Sequence, residues 1–202
     1  MIKVGLTGGI ASGKTTIVKF LKKRGWPIHD SDAIVKKIYS SPSRSFINFL
    51  KKNKLNQAIK RKKINKSLIR QEIFNNQVKK KKIEKFIHAE VRKSRERFLK
   101  NHRKKKTQTV ILDIPLLFEA GLTNICDYII LLTLTKKLKM QRALKRKGMN
   151  KSVLLKILQN QTKDSLKKNK SDFVINTSKT KKETYREITL ALKKIKLLSI
   201  KK

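Results

Sequence analysis

Cysteine, proline, glycine and aromatic residues are all scarce in this sequence. Its 202 residues include 1 cysteine, 3 prolines and 7 glycines, and aromatic residues make up 6% of the chain. The single cysteine, Cys126, cannot form a disulfide within the chain, and no low-complexity linker is visible. So few aromatic residues give little support to an RNA-binding surface of the kind that stacks bases on aromatic rings.

The chain also lacks a long apolar run. The longest, residues 128–134, is far too short to cross a bilayer. The first residues lack the basic-then-apolar pattern of a secretory signal. Apolar residues still make up 38% of the chain and fall into periodic runs, which is typical of a packed core. We therefore expect a cytoplasmic protein without a membrane segment.

Acidic residues are few, 13 against 54 basic residues, which gives a formal net charge of +41. Such an excess suggests a polyanion, for example a nucleic acid, as partner. Compositional drift is the alternative, since lysine, isoleucine and asparagine are abundant, as in a protein from an AT-rich genome. Because the lysines are spread along the whole chain, we favour drift over a nucleic-acid partner. Either way the charge attracts anionic substrates. The sequence carries no signal for an oligomeric state.

A complete phosphate-binding pattern, G-x-x-x-x-G-K-[ST], lies near the start of the chain. We call it the glycine loop, and its residues are Gly8, Gly9, Ile10, Ala11, Ser12, Gly13, Lys14 and Thr15. Glycines let the backbone turn its N–H groups towards phosphate oxygens. Lys14 is expected to reach the β- and γ-phosphates of a nucleoside triphosphate, and the Thr15 hydroxyl to bind Mg²⁺. A predicted strand precedes the loop and a predicted helix follows it, which is the context that this motif requires.

Four acidic residues lie at or after the ends of predicted apolar segments. Asp30 and Asp32 lie two apart after a short strand, and in an extended chain their side chains would point the same way. One carboxylate can accept the proton of the acceptor hydroxyl while the other helps to hold Mg²⁺ through water; alternatively, Asp32 caps the next helix. Asp113 ends an apolar strand and is either a Mg²⁺ ligand, through water, or a turn residue. Glu119 has a weaker claim to the same site.

Two pairs of cationic side chains have helical i, i+4 spacing. Arg142 and Arg146 suit the spread charge of a transferring phosphoryl group, although arginine pairs are weak signals in so basic a chain. His88 and Arg92 form the second pair, and a lone histidine is more often structural. Both alternatives remain open on residue chemistry alone.

Strands alternate with helices along the chain, which predicts a parallel α/β sheet. The predicted strands cover residues 2–6, 26–29, 109–113, 128–134 and 172–175, and a C-terminal helix follows the last of them. Residues 45–103 read as almost wholly helical and residues 138–163 as a pair of basic helices. We therefore expect a five-stranded P-loop NTPase-type sheet flanked by helices (residues 1–44, 104–137 and 164–202), a helical substrate subdomain (45–103) and a lid (138–163).

The chain resembles the dephospho-CoA kinases nearly end to end. The two specific stretches are residues 6–16, which include the glycine loop, and residues 113–122, which contain Pro-Leu-Leu-Phe-Glu. The Asp-Ser-Asp stretch at residues 30–32 also matches. Weaker matches lie around Arg142, at residues 157–161 and at residues 171–175.

This resemblance implies the activity and several residue roles. It implies transfer of phosphate from ATP, with Mg²⁺, to the ribose 3′-hydroxyl of dephospho-CoA, with Asp32 as the general base. Lys14 and Arg142 would act on the transferring phosphate. Residues implied to bind ATP are Gly8, Gly9, Ile10, Ala11, Ser12, Gly13, Lys14, Thr15, Thr16 and Arg142. Those implied to bind the acceptor are Thr7, Asp32, His88, Arg92, Leu116 and Phe118, and those implied to hold the metal are Thr15 and Asp113.

The sequence departs from the family pattern at a few positions. Ala11 replaces a loop glycine, and a methyl group fits there only if the backbone keeps a negative φ. Ala89 replaces the proline that usually follows His88, and Asn176 does not reproduce the usual closing motif. The competing hypotheses are another small-molecule kinase, such as a nucleoside monophosphate kinase, and a basic nucleic-acid-binding protein with a vestigial loop.

Overall fold

The computed structural model describes residues 1–60, 63–74 and 76–200. Residues 61, 62 and 75 of the predicted helical subdomain, and the last two residues of the predicted core, lie outside that range. The described residues divide into two compact units, residues 1–29 with 102–202 and residues 30–101. Within the described residues, no helix is both long and apolar enough to cross a membrane.

The first unit is built on a parallel sheet. Its strands are β1 (Ile2–Gly8), β2 (Ile28–Asp30, whose last residue falls in the second unit), β5 (Thr109–Asp113), β6 (Tyr128–Thr133) and β7 (Phe173–Asn176). In the described part of the chain these five strands lie in the order β2-β5-β1-β6-β7. β1 pairs in parallel with β5 on one side and β6 on the other, with Leu6 opposite Asp113 and Ile130. The predicted five-stranded α/β sheet is therefore confirmed.

Burial on both faces explains why the central strands form. All five residues of β5 are buried, as are five consecutive residues of β1. Such continuous apolar runs are typical of parallel strands covered on both faces. Against them pack α1 (Lys14–Lys23) and the C-terminal helix α9 (Lys181–Ile200). The core on this side includes Ile17, Val18, Leu21, Ile188, Leu192 and Ile195.

Three short helices lie between β6 and β7. They are α6 (Lys136–Leu144), α7 (Lys151–Gln159) and α8 (Asp164–Asn169). Because α6 ends at Leu144, Arg146 lies in the turn beyond the helix and its side chain is exposed. The expectation that Arg142 and Arg146 share one helix face is wrong.

The second unit is mainly helical. It contains α2 (Ser31–Ser40), α3 (Arg44–Lys52), α4 (Lys66–Phe74) and the long α5 (Gln77–Lys104), whose last residues belong to the first unit. Its core is a separate apolar cluster that includes Phe46, Leu50, Leu55, Ile69, Ile83 and Ile87.

A small hairpin corrects the prediction that residues 45–103 are almost wholly helical. β3 (Ile59–Lys60) and β4 (Lys63–Ile64) pair antiparallel, with Ile59 opposite Ile64. Each strand has only two residues, too short for the alternation that marks a strand in a sequence.

The start of α2 corrects the expectation for the two aspartates. Asp30 ends β2 and is the helix N-cap, because its carboxylate accepts a hydrogen bond of 2.9 Å from the Ala33 N–H. Asp32 lies in the first helical turn, where a carboxylate is favoured by the helix dipole. The chain is therefore not extended across both residues, and Asp32 is not the cap.

Candidate active site

The glycine loop joins the end of β1 to the start of α1. Gly13 adopts φ +79°, and its carbonyl accepts hydrogen bonds from the backbone N–H groups of Thr16 and Ile17. A Cβ on Gly8 would lie 2.8 Å from the Leu132 carbonyl oxygen, so only glycine fits there. The loop therefore brings the N-terminal end of α1, where a helix can bind an anion, to the carboxyl edge of the sheet.

Lys14 and Asp113 meet beneath this loop. Nζ of Lys14 lies 2.7 Å from Oδ1 of Asp113, and both side chains are largely buried. β5 is the neighbour of β1 in the sheet, which places the end of one strand beside the end of the other. The structure thus brings together two of the residues that the sequence singles out for phosphate and metal chemistry.

Ala11 has a left-handed backbone, with φ +61°. The expectation that Ala11 keeps a negative φ is therefore wrong. A non-glycine residue in this region costs about 1–2 kcal/mol. The Ala11 methyl group is buried in a small apolar cluster with Ala143 of α6 and Leu154 of α7. This contact offsets part of the backbone cost.

Three polar side chains from the segment between β6 and β7 also lie at the loop. The Ile10 N–H donates to Oε1 of Gln161 over 3.3 Å. Lys139 on α6 forms an ion pair with Asp164 on α8, and both lie beside Gly9. No sequence motif marks Lys139, Asp164 or Gln161 individually. The only available signals were that Lys139 precedes Arg142 by one helical turn and that residues 157–161 weakly match the family.

Arg142 approaches the loop from the same helix. Its guanidinium donates a hydrogen bond of 3.1 Å to the Thr177 carbonyl oxygen. The Thr177 side chain lies 3.8 Å from the position that a Cβ would take on Gly13. Arg142 is thus held near the end of the loop where α1 begins.

Residues 115–119, which follow β5, lie beside the end of β1. The Thr7 hydroxyl is buried and donates to the Pro115 carbonyl oxygen over 3.1 Å. Leu116 is exposed, and Phe118 is half-buried. Thr7 therefore fixes the end of β1 to the segment that carries these two apolar side chains.

Glu119 links residues 115–119 to α8. Oε1 of Glu119 lies 2.6 Å from Nζ of the buried Lys167 and accepts a hydrogen bond of 2.9 Å from the Thr162 N–H. Burial raises the pKa of the Glu119 carboxyl, but the hydrogen bonds from Lys167 and Thr162 outweigh it and hold the pKa below its usual value. Glu119 is thus a largely buried anion with a structural role.

Three of the predicted acceptor-binding residues belong to the second unit. Asp32 is exposed in the first turn of α2. His88 and Arg92 are exposed on α5, one helical turn apart, and Nε of Arg92 lies 4.0 Å from the Glu96 carboxylate.

The side chains available for a metal ion fit magnesium. In kinase sites Mg²⁺ usually keeps several waters and uses only one or two protein oxygens together with substrate phosphates. The Thr15 hydroxyl is exposed in the first turn of α1, and the Asp113 carboxylate ends β5. No larger cluster of three acidic, histidine or cysteine side chains occurs among the described residues, and such a site needs none.

The parallel sheet, the glycine loop and the lysine beside a strand-ending aspartate define the P-loop phosphotransferases as the class of this protein. A sequence profile of the family described as dephospho-CoA kinase matches residues 2–183. The chain belongs to the dephospho-CoA kinase family and is a kinase.

Individual relatives agree with this assignment. A dephospho-CoA kinase of Rhizobium etli is 31% identical over 199 residues, which cover 98% of this chain and 95% of the relative. Two solved structures have the same fold. TT1252 from Thermus thermophilus has a TM-score of 0.76 at 23% identity, with 95% of each chain covered. A dephospho-CoA kinase from Campylobacter jejuni has a TM-score of 0.73 at 24% identity, with 98% of each chain covered.

Proposed function

We propose that this chain transfers the γ-phosphate of ATP to the ribose 3′-hydroxyl of dephospho-CoA, giving coenzyme A and ADP. The observation that carries the proposal is the complete glycine loop with Lys14 against Asp113, in a chain whose family match spans residues 2–183. The loop supports a nucleoside triphosphate as the phosphate donor, and the family match supports dephospho-CoA as the acceptor.

The donor side of the site is the glycine loop, whose backbone N–H groups would bind the phosphates. The proposed ATP-binding residues are those of the loop together with Thr16 and Arg142. Lys14 would turn from Asp113 to the β- and γ-phosphates, and the guanidinium of Arg142 would offset charge on the moving phosphoryl group. Thr15 and, through water, Asp113 would hold Mg²⁺, which when bound offsets negative charge on the phosphates.

On the acceptor side, Asp32 would orient the 3′-hydroxyl and take its proton. The hydroxyl oxygen then attacks the γ-phosphorus, the bond from that phosphorus to the β–γ bridging oxygen breaks, and ADP leaves. Asp32 suits this role because it is an exposed carboxylate next to the N-cap Asp30, which already occupies the capping position. The remaining residues proposed to bind dephospho-CoA are Thr7, His88, Arg92, Leu116 and Phe118.

An acceptor screen tests the proposal directly. ADP release is measured by a coupled assay with dephospho-CoA, AMP and shikimate as alternative acceptors. We expect turnover with dephospho-CoA alone. Preferential turnover of AMP or shikimate would contradict the acceptor assignment while leaving the kinase class intact.

We also propose that the protein works in the cytoplasm, which holds the ATP that the reaction consumes. Cys126 is the single cysteine of the sequence, so the chain has no internal disulfide, in keeping with a reducing compartment. Fractionation of cells that express the chain, followed by the dephospho-CoA assay on each fraction, checks this location.

A further inference from the structure

Lys139 is a buried cation that the proposed reaction does not use. It lies on α6, and its side chain is 10% exposed, whereas the side chain of its ion-pair partner Asp164 is 43% exposed. Taking an ammonium group out of water costs several kcal/mol unless good partners replace the water. A half-exposed carboxylate is a weak reason to bury a lysine, because the same pair could form in solvent at little cost.

The ammonium group of Lys139 lies at the glycine loop. Its Nζ atom is 4.0 Å from the position that a Cβ would take on Gly9, and so is Oδ1 of Asp164. Oε1 of Gln161 is closer, at 3.1 Å from that position, and accepts the hydrogen bond from the Ile10 N–H. Side-chain oxygens thus lie beside Gly9 and Ile10. In loops of this kind the backbone N–H groups bind phosphate oxygens.

Lys139 and Arg142 stand three residues apart and therefore share one face of α6. Arg142 reaches the Gly13 end of the loop through Thr177, and Lys139 reaches the Gly9 end. This face of α6 thus places one cation near each end of the glycine loop. An ammonium group can donate three hydrogen bonds, and its bond to Asp164 accounts for one of them.

We propose that Lys139 is a further phosphate-binding residue, which exchanges Asp164 for the terminal phosphates of ATP. Asp164 and Gln161 stand in for the phosphate oxygens until the nucleotide binds. This inference rests on the proposed use of ATP at the glycine loop. It does not depend on which acceptor receives the phosphate.

The test is the dissociation constant for ATP and for inorganic tripolyphosphate, measured by isothermal titration calorimetry with the full chain and Mg²⁺. Lys139→Met should weaken both ligands by roughly tenfold to a hundredfold, as expected for the loss of a hydrogen bond to a charged group. Lys139→Arg should restore most of the affinity. Lys137→Met, on an exposed position of the same helix, is the matched control and should change affinity less than about threefold.

The Asp164→Asn variant distinguishes phosphate binding by Lys139 from a purely structural role of the ion pair between Lys139 and Asp164. If Lys139 binds phosphate, Asp164→Asn leaves it free to do so, and the affinity for tripolyphosphate stays equal or rises. If the pair only ties α6 to α8, Lys139→Met and Asp164→Asn should weaken binding alike, and that result overturns the proposal. Unchanged ATP affinity in Lys139→Met also overturns it. Tripolyphosphate binding that depends on Lys139, in a chain that fails to phosphorylate dephospho-CoA, would support this inference and refute only the proposed acceptor.

Discussion

Nζ of Lys14 lies 2.7 Å from Oδ1 of Asp113, a contact between residues 99 positions apart in the chain. The lysine of the glycine loop and the aspartate at the end of β5 thus neutralise each other. In the proposed reaction, a bound triphosphate would give the lysine a stronger anion, and the aspartate would become available to the water shell of a magnesium ion. The pairing explains how two opposite charges can both be largely buried.

Lys14→Ala should lower kcat/KM for ATP by on the order of 100- to 1000-fold, because a preorganised cation at the developing charge is lost. Steady-state kinetics of ADP release check this. Lys19→Ala, an exposed position on the same helix, is the control and should remain close to the parent rate. An unaffected rate in Lys14→Ala would remove the glycine-loop mechanism.

Asp113→Asn should raise the concentration of Mg²⁺ needed for half-maximal turnover by about tenfold or more, since a carboxylate binds the hard cation and its waters better than an amide does. A magnesium titration at saturating ATP measures this shift. Asp127→Asn, which removes an ion pair with Lys3, is the matched control and should leave the magnesium dependence unchanged. Equal curves for Asp113→Asn and the parent would contradict a metal role for Asp113.

Asp32→Asn should lower kcat by about 100- to 10,000-fold while leaving ATP affinity unchanged, because a general base contributes that much to proton transfer. Turnover is followed with dephospho-CoA, and ATP binding by calorimetry. The neighbouring Asp30→Asn is the control, since asparagine is also a good N-cap and α2 should keep its stability and the enzyme its rate. Near-normal turnover in Asp32→Asn would exclude it as the base.

Ala11→Gly should change the free energy of unfolding by less than about 1 kcal/mol. Relief of the left-handed backbone contributes about 1–2 kcal/mol. Loss of a buried methyl group costs about 0.8 kcal/mol, and the extra freedom of glycine about 0.5–1 kcal/mol. Ala11→Val should destabilise clearly, because a β-branched residue tolerates positive φ poorly. Urea unfolding of both variants measures the difference, and a stable Ala11→Val variant would contradict the left-handed backbone.

Glu119→Gln should destabilise the protein by roughly 3 kcal/mol at pH 7, because it leaves the buried Lys167 without its carboxylate. The pKa of Glu119 is lowered in the folded protein from 4.5, so the ionised carboxylate stabilises the fold above that pH. This contribution disappears as the pH falls through the lowered pKa, and the difference between parent and variant should narrow there. Urea unfolding from pH 7 to pH 3 tests this. Glu96→Gln, on an exposed pair, should cost less than about 1 kcal/mol at every pH.

Much of the fold was predictable from local patterns. The glycine loop lies between a strand and a helix as expected, and Asp113 is the last residue of β5. Long apolar runs mark the buried strands β5 and β6, whatever their neighbours are. The hairpin at Ile59 and Ile64 could not be predicted in the same way, because two-residue strands have no periodicity to detect.

Other features depend on small differences in backbone geometry. The sequence pattern indicated Asp32 as a possible cap, but the structure assigns the cap to Asp30 because β2 extends to that residue and the helix begins one residue later. Helical spacing paired Arg142 with Arg146, but α6 ends between them. Both outcomes depend on where an element ends, which sequence patterns locate only to within a few residues.

By itself the sequence determined the phosphate-binding loop, the parallel α/β sheet and, through family resemblance, the acceptor. These rest on signals that span a single strand, loop or helix. Only the tertiary structure decided which side chains face that loop. The Ile10 N–H meets Gln161 across 151 positions of the chain, and Lys139 meets Asp164 across 25. Such contacts depend on how separate elements pack, and no local pattern of residues encodes that packing.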